Sequence, residues 1–311
     1  EKKKIIIGTF VALILIGQLV QEQYTTICLP AIPSEKTVYI YIDRDDTADS
    51  IYNKVEQQGH PRSFTGFRWM AQYKKYSENI HTGRYTIGGE NVYHVFSRLY
   101  RGYQEPTNLT VGSVRTLDRL ARSVGKQLMI DSAEIAGLMN DSAFQQKLGY
   151  NKETLPASSS PKPTIYWDMS AEEFFERMQK EHQKFWNQER LDKATAIGMT
   201  PTEVCTLASI VEEETNNTPE KPMVAAYINR LHTGMPLQAD PTIKFALQDF
   251  GLRRITNAHL AVESPYNTYL NTGYLPVPYA SPSPIGLDAV LNHTKHNYLY
   301  MCAQRGLLGH P

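Results

Sequence analysis

The sequence predicts an α+β protein: an apolar N-terminal helix, a short linker, and two folded units in which strands and helices alternate. Segments of period-two alternation, such as Thr37–Ile42 and Gly83–Ile87, lie between segments whose apolar residues recur at helical spacing. The chain has 311 residues, 41% of them hydrophobic and 21% charged, which is enough for two units with cores of their own. A lysine cluster followed by an apolar run opens it.

Lys2, Lys3 and Lys4 precede a run from Ile5 to Val20 broken only by small residues, Thr9 and Gln18. The run is shorter than the roughly twenty residues of a comfortable span, so a cleavable signal peptide is the alternative. No A-x-A site follows, and Ile27 stands before Cys28 where a lipoprotein signal would want a small residue. The expectation is therefore an uncleaved transmembrane anchor over residues 1–21. Its lysines stay cytoplasmic, and the rest of the chain lies outside the inner membrane. Residues 22–36, with Pro30 and Pro33, form the linker.

The first folded unit is expected over residues 37–104. It begins with a strand at Thr37–Ile42, a helix at Thr47–Gln57 and a second helix capped by Ser63 and running through Tyr73. A strand at Gly83–Ile87 follows. The next helix, Glu90–Arg101, puts Val92, Val95, Phe96 and Leu99 on one face and ends at Gly102. Phe64, Phe67 and Trp69 fit a core stripe.

Residues 105–311 form the second unit. A strand at Leu109–Val111 and a helix at Ser113–Gly125 come first, and Asp131 with Glu134 makes a capping box for a helix to about Met139. Ser158, Ser159, Ser160, Pro161 and Pro163 indicate a flexible loop. Ser170 with Glu173 marks another helix start, continued by Phe174, Phe175, Met178 and Phe185. Thr200, Pro201 and Glu203 open a helix in which Val204, Leu207, Ala208 and Val211 form a stripe. Extended by three residues, that stripe reaches Glu214, while Glu212 and Glu213 point elsewhere. Asn216, Asn217 and Pro219 stop the helix.

Composition removes several function classes. Lys plus Arg and Asp plus Glu both number 32, so there is no electrostatic case for nucleic acid. Cys28, Cys205 and Cys302 are too scattered for a disulfide framework or a zinc site, and Cys205 reads as a small core residue. H-E-x-x-H, G-x-S-x-G and P-loop patterns are missing from the sequence, and no cofactor or metal is implied. The chemistry left in view is acidic. A carboxyl at the end of an apolar helix face can be desolvated, which raises its pKa and lets it serve as a general acid, although a solvated helix end accounts for the same residues.

The stretches LASIVEEET, VAAYINRLHTGMPLQADPT, SPYNTY and TGYLPVPYASPSP, in that order and spacing, resemble the YceG-like family of endolytic murein transglycosylases. In the family's pattern the catalytic glutamate immediately precedes a threonine, which is Glu214 here. The resemblance implies cleavage of the MurNAc-β-1,4-GlcNAc bond inside peptidoglycan strands, leaving 1,6-anhydroMurNAc ends. Glu214 would first donate a proton and then accept one, because the sugar's own 6-hydroxyl is the nucleophile. Asn229, Arg230, Gln238, Asp240, Thr242, Tyr266, Asn267, Thr268 and Tyr269 are the implied substrate-binding residues. Other roles stay open for some of them. Arg230 can pair with Glu212, Glu213 or Asp240; Asp240 can be a turn or N-cap residue; Tyr266 and Tyr269 can be core aromatics.

The resemblance further implies a LysM-like subdomain over 37–104 before a mixed α/β catalytic domain. It places the enzyme at the bacterial inner membrane with its catalytic domain on the extracytoplasmic side, and beside the glycan polymerases and transpeptidases of the elongation machinery. Two features depart from the family. The Ser-Pro segment replaces an expected aromatic stretch, and the tail ends at Gly309, His310 and Pro311 after an expected strand at Tyr298–Ala303. A lysozyme-type muramidase on the same glutamate and a non-catalytic peptidoglycan-binding scaffold are the alternative readings.

Overall fold

The computed structural model describes residues 12–18, 20–21, 24, 37–61, 64–110, 116–149, 164–214, 221–276 and 282–301. Residues 12–18 and 20–21 are helical and expose Leu13, Ile14, Leu15 and Ile16. Among the described residues no single helix is long and apolar enough to cross a membrane. The opening lysines, most of the linker and the Ser158–Pro163 segment lie outside the described residues. From Thr37 onward the chain forms two compact units: one runs to Thr107 and includes Thr164–Met169, and the other takes the rest from Asn108.

In the first unit β1 (Val38–Ile42) pairs antiparallel with β2 (Gly83–Ile87), Val38 opposite Ile87 and Ile42 opposite Gly83. Alternation sends Ile40, Ile42, Tyr85 and Ile87 into the core. Helix α1 (Ala48–Gly59) starts one residue after its expected beginning because Thr47 is the cap, sharing a capping box with Ser50. Helix α2 (Thr65–Tyr73) follows Phe64, which makes no side-chain cap bond; the expected cap, Ser63, lies outside the described residues.

Phe67 is buried and stacks on Phe64 at 4.8 Å, but Trp69 is 56% exposed and stacks on Tyr73 instead. Trp69 is thus not part of the core stripe. Two helical steps from Phe67 turn it by about 200°, onto the opposite face. Helix α3 (Val92–Arg101) is capped by Asn91 and buries Val92, Val95, Phe96 and Leu99 as the stripe requires. Gly102 closes it at φ +67°, in the left-handed region, where an added Cβ would come within 3.0 Å of His81.

The strand expected at Leu109–Val111 is displaced to β3 (Thr107–Asn108), where the sequence passes from the first unit into the second. Leu109 is a buried core residue, and Val111 lies outside the described residues. Helix α4 (Leu117–Gly125) is capped by Thr116, and the expected start at Ser113 lies outside the described residues. Asp131 caps α5 (Ser132–Asn140) through the amide of Ala133, a position earlier than a capping box would use. Asp141 ends α5 and caps α6 (Ser142–Lys147), a short helix that no periodicity announced.

After the two-residue strand β4 (Thr164–Ile165), which belongs to the first unit, the second unit resumes with α7 (Ala171–Phe185), opened by the Ser170–Glu173 capping box. Helix α8 (Gln188–Ala196), also unannounced, is capped by Asn187. It meets α9 (Pro201–Glu214) at 77°. The remaining helices are α10 (Lys221–His232), α11 (Asp240–Ala246), α12 (Asn257–Leu260) and α13 (Pro284–Leu291).

Helix α9 is the centre of this unit. Every residue from Val204 to Val211 is buried, so the helix is enclosed on all sides and not along one stripe only. Its two buried hydroxyls bond to the helix's own carbonyls, Thr206 to Thr202 at 2.9 Å and Ser209 to Thr206 at 2.7 Å. Such back-bonding satisfies a buried hydroxyl within the helix itself. Val224 and Ile228 of α10 and Leu287 and Val290 of α13 belong to the same apolar core. Cys205 sits in this core, and burial pushes its thiol up to about 12, which suits packing and not nucleophilic attack.

Candidate active site

The Thr200 capping box forms as expected: Glu203 accepts from the Thr200 amide at 2.7 Å and Thr200 Oγ1 accepts from the Glu203 amide at 3.3 Å. Fourteen helical residues later α9 ends on Glu214. Successive helical residues turn by about 100°, so the three terminal glutamates face different neighbours. Glu212 turns to α13, where both its oxygens accept from the Ser283 amide at 3.0 Å. Glu213 is half-buried.

Glu214 shares its surroundings with Asp240, Lys244, Arg230 and Tyr227. The residue is exposed overall, yet desolvation of its carboxyl raises the pKa above the ordinary carboxylate value, and the negative charge of Asp240 raises it further. Lys244 and Arg230 pull in the opposite direction. The result is an acid that keeps its proton to higher pH than a solvated glutamate while remaining open to a ligand. Across the site, the Tyr269 hydroxyl donates to Asp240 Oδ1 at 2.5 Å. Burial raises the pKa of Tyr269, as does its bond to Asp240, so the phenol stays protonated.

The segments around Asp240 and Tyr269 are tied together by buried polar groups. Gln238 donates its amide to the Thr268 carbonyl at 3.0 Å, and Ala239 donates its amide to Thr268 Oγ1 at 2.9 Å. Thr242 Oγ1 donates to the Ala239 carbonyl at 2.7 Å and lies 2.8 Å from Thr268 Oγ1. With the Thr242 proton already used, Thr268 must be the donor between the two hydroxyls. Asn267 spends both amide hydrogens on the carbonyls of Leu260 and Val262, at 2.9 and 2.8 Å, and its oxygen accepts from the Tyr269 amide at 2.9 Å.

Thr242, Asn267 and Thr268 are 0%, 0% and 2% exposed. All three are buried, with the polar groups named above engaged inside the protein. Tyr266 is partly buried, packed edge-on against Phe245 at 4.7 Å. Asp240 is not an N-cap. Ala239 holds that position, and Asp240 is the first helical residue of α11, which frees its carboxylate for Tyr269.

Asn229 and Arg230 grip the stretch where a strand was expected. Tyr298–Met301 forms no strand, and Cys302 and Ala303 lie outside the described residues. In place of a ladder, Asn229 Nδ2 donates to the carbonyls of His296 and Tyr298 at 2.7 and 2.9 Å, and Arg230 Nε donates to that of Leu299 at 2.7 Å. Arg230 also donates to the Leu237 carbonyl, and its guanidinium lies over the rings of Tyr227 and Tyr300 at 5.6 and 4.9 Å. Ion pairing of Arg230 with Glu212, Glu213 or Asp240, open from the sequence, is replaced by these carbonyl bonds. Gln238 is exposed, with a left-handed backbone at φ +52°.

Two neighbours of Glu214 were missed by sequence reasoning. Lys244 lies four residues after Asp240 on α11, and Tyr227 lies three before Arg230 on α10, so each shares a helix face with a residue already singled out. Face-sharing is the signal that would have found them.

A profile of the YceG-like family matches residues 40–310. A Streptococcus pneumoniae protein named endolytic murein transglycosylase is 26% identical over 94% of this chain, and a Bacillus subtilis protein of the same name is 26% identical over 87% of it. The chain spans 59% of the length of the pneumococcal relative and 80% of the Bacillus one. The crystal structure of a YceG-like protein from Listeria monocytogenes superposes with a TM-score of 0.56 at 25% identity, covering 88% of this chain and 95% of that one. The four motif stretches and the groups they gather around Glu214 lie within the matched residues, and the chain belongs to the YceG-like family.

Proposed function

We propose that the protein is an endolytic lytic transglycosylase of peptidoglycan, with Glu214 as its single acid and base. The observation that carries this reading is an exposed glutamate at a helix end whose carboxyl has its pKa raised by desolvation and by Asp240. The names of the pneumococcal and Bacillus relatives support the substrate class.

In the first step Glu214 protonates the glycosidic oxygen as the bond to the anomeric carbon breaks, leaving positive charge on the sugar ring. In the second, the muramyl 6-hydroxyl attacks that carbon and gives its proton to the Glu214 carboxylate, which closes the anhydro ring without water. Asp240, held by Tyr269, raises the proton affinity of Glu214, and Lys244 and Arg230 limit that rise. Gln238, exposed two residues before Asp240, is available to sugar hydroxyls or acetamido groups. The opening lysines and apolar run support membrane anchoring with this chemistry outside the cytoplasm; the family resemblance alone suggests neighbours among the enzymes that polymerise and crosslink glycan. The first unit, a strand–helix–helix–strand–helix succession, supports the LysM-like assignment.

Asp240 also favours a second reading. A lysozyme-type hydrolase uses two carboxyl groups, and Asp240 is a second carboxylate beside Glu214. Digestion of purified sacculi with product analysis by mass decides between the two. Wild-type protein should release anhydro ends, and Glu214→Gln should lower turnover by about 10²–10⁴-fold, the usual worth of general acid–base catalysis. Reducing ends among the products would transfer the assignment to hydrolysis, and unchanged turnover in Glu214→Gln would remove this glutamate from the chemistry.

A further inference from the structure

Two residues before Glu214, the carboxylate of Glu212 is held by the start of α13. Both its oxygens accept from the Ser283 amide at 3.0 Å, and Oε1 also accepts from the Ser283 hydroxyl. Ser283 is the N-cap of α13, and its Oγ accepts from the Gly286 amide at 3.1 Å. The hydroxyl therefore donates to one helix and accepts from another. A carboxylate at the first turn of α13 also meets the positive end of that helix's dipole. Gly286 completes the fit by being small: a Cβ there would lie 2.3 Å from Glu212 Oε1. Its backbone does not occupy the left-handed region, so space and not backbone strain requires glycine.

We propose that Glu212 is a positioning residue, a clamp that binds the last turn of α9 to α13 and so fixes where the Glu214 carboxyl stands. The last turn of a helix lacks half of its intrahelical hydrogen bonds and frays readily. A fixed point half a turn upstream removes that freedom. Catalytic groups need this, because a misplacement of about 1 Å costs on the order of 10²-fold in rate. The inference rests on the reading of Glu214 as the acid. It also explains why three consecutive glutamates are not equivalent: one is committed to architecture so that another can be presented.

The test uses two variants that keep the charge of Glu212 but break the clamp: Glu212→Asp, which is one methylene too short, and Gly286→Ala, whose methyl displaces the carboxylate. In each, the Glu214 carboxyl is titrated by ¹³C NMR and turnover is measured on purified glycan strands. We expect the Glu214 midpoint to move down toward an ordinary carboxylate value in both. The accompanying kcat should fall by about ten-fold, with KM within about two-fold of wild type. A wild-type midpoint and wild-type kcat in folded Glu212→Asp would overturn the proposal, even if Gly286→Ala fails to fold. So would a loss of activity that vanishes once the assay temperature is lowered below the variant's melting transition. Failure of the catalytic reading is separable: Glu214→Gln would then keep its turnover, while the NMR midpoint in Glu212→Asp still decides whether the clamp positions Glu214.

Discussion

In the first unit Ile40, Ile42, Phe67, Tyr85 and Ile87 pack against one another around a two-stranded sheet, and the core is held by contact between apolar surfaces. In the second unit the ground beneath the site is equally buried but polar, with Thr242, Asn267 and Thr268 each bonded to atoms of neighbouring segments. An apolar core is forgiving of identity and sensitive to volume. A buried polar network is the reverse: each member must find its partner, and losing one strands another. Thr242, Asn267 and Thr268, three of the residues that the sequence motifs singled out, belong to the second kind of environment.

Substitutions that press on this contrast differ in size. The largest expected effect on stability is in the apolar unit. Phe67→Ala removes a fully buried ring stacked on Phe64 and set edge-on to Phe96, and chemical denaturation should register a loss of about 3–5 kcal/mol. Turnover per folded molecule should hardly change. Asn267→Ala leaves the carbonyls of Leu260 and Val262 and the amide of Tyr269 without their partner, and should cost about 1–3 kcal/mol. It should also reduce turnover per folded molecule, because Tyr269 loses its seat. Equal turnover in the two variants would break the comparison.

The smallest effect concerns pH. The Glu214 carboxyl has a raised pKa, so the folded state holds that proton more tightly than the unfolded chain does. Its contribution to stability is present below the ordinary value of 4.5 and is lost as pH rises through the folded value. Glu214→Gln should therefore gain in melting temperature relative to wild type at about pH 7, by roughly 1 °C, and gain nothing at about pH 4. A gain confined to acid would reverse the sign and exclude a desolvated carboxyl.

Much of the first unit was legible because its signals are local. The stripe Val92, Val95, Phe96, Leu99 and the glycine after it specify α3 without reference to anything distant, and the alternation at Gly83–Ile87 gives β2 at its observed limits. Trp69 was misplaced since three aromatics in six residues resemble a stripe until each is set on the helical wheel. In the second unit the Thr200 box and the position of Glu214 at a helix end could be read, whereas the enclosure of α9 could not, because surrounding a helix is a property of its neighbours. The roles of Asn229 and Arg230 were hidden for the same reason. Their partners are main-chain carbonyls about seventy residues away, with no side-chain identity to mark them. Helices α6 and α8 escaped notice because they are short, polar and announced chiefly by Asp141 and Asn187.

Gln238 adds one more lesson. At φ +52° it adopts a shape that an L-residue enters at a cost of about 1–2 kcal/mol and glycine enters almost freely. The backbone amides of Gln238 itself and of Ala239 are tied to Thr268, so the loop is pinned in that shape whatever side chain occupies the position. Keeping a long, exposed amide there, two residues before Asp240, spends stability on reach. The chain tolerates a tense hinge of backbone so that a hand can extend from it.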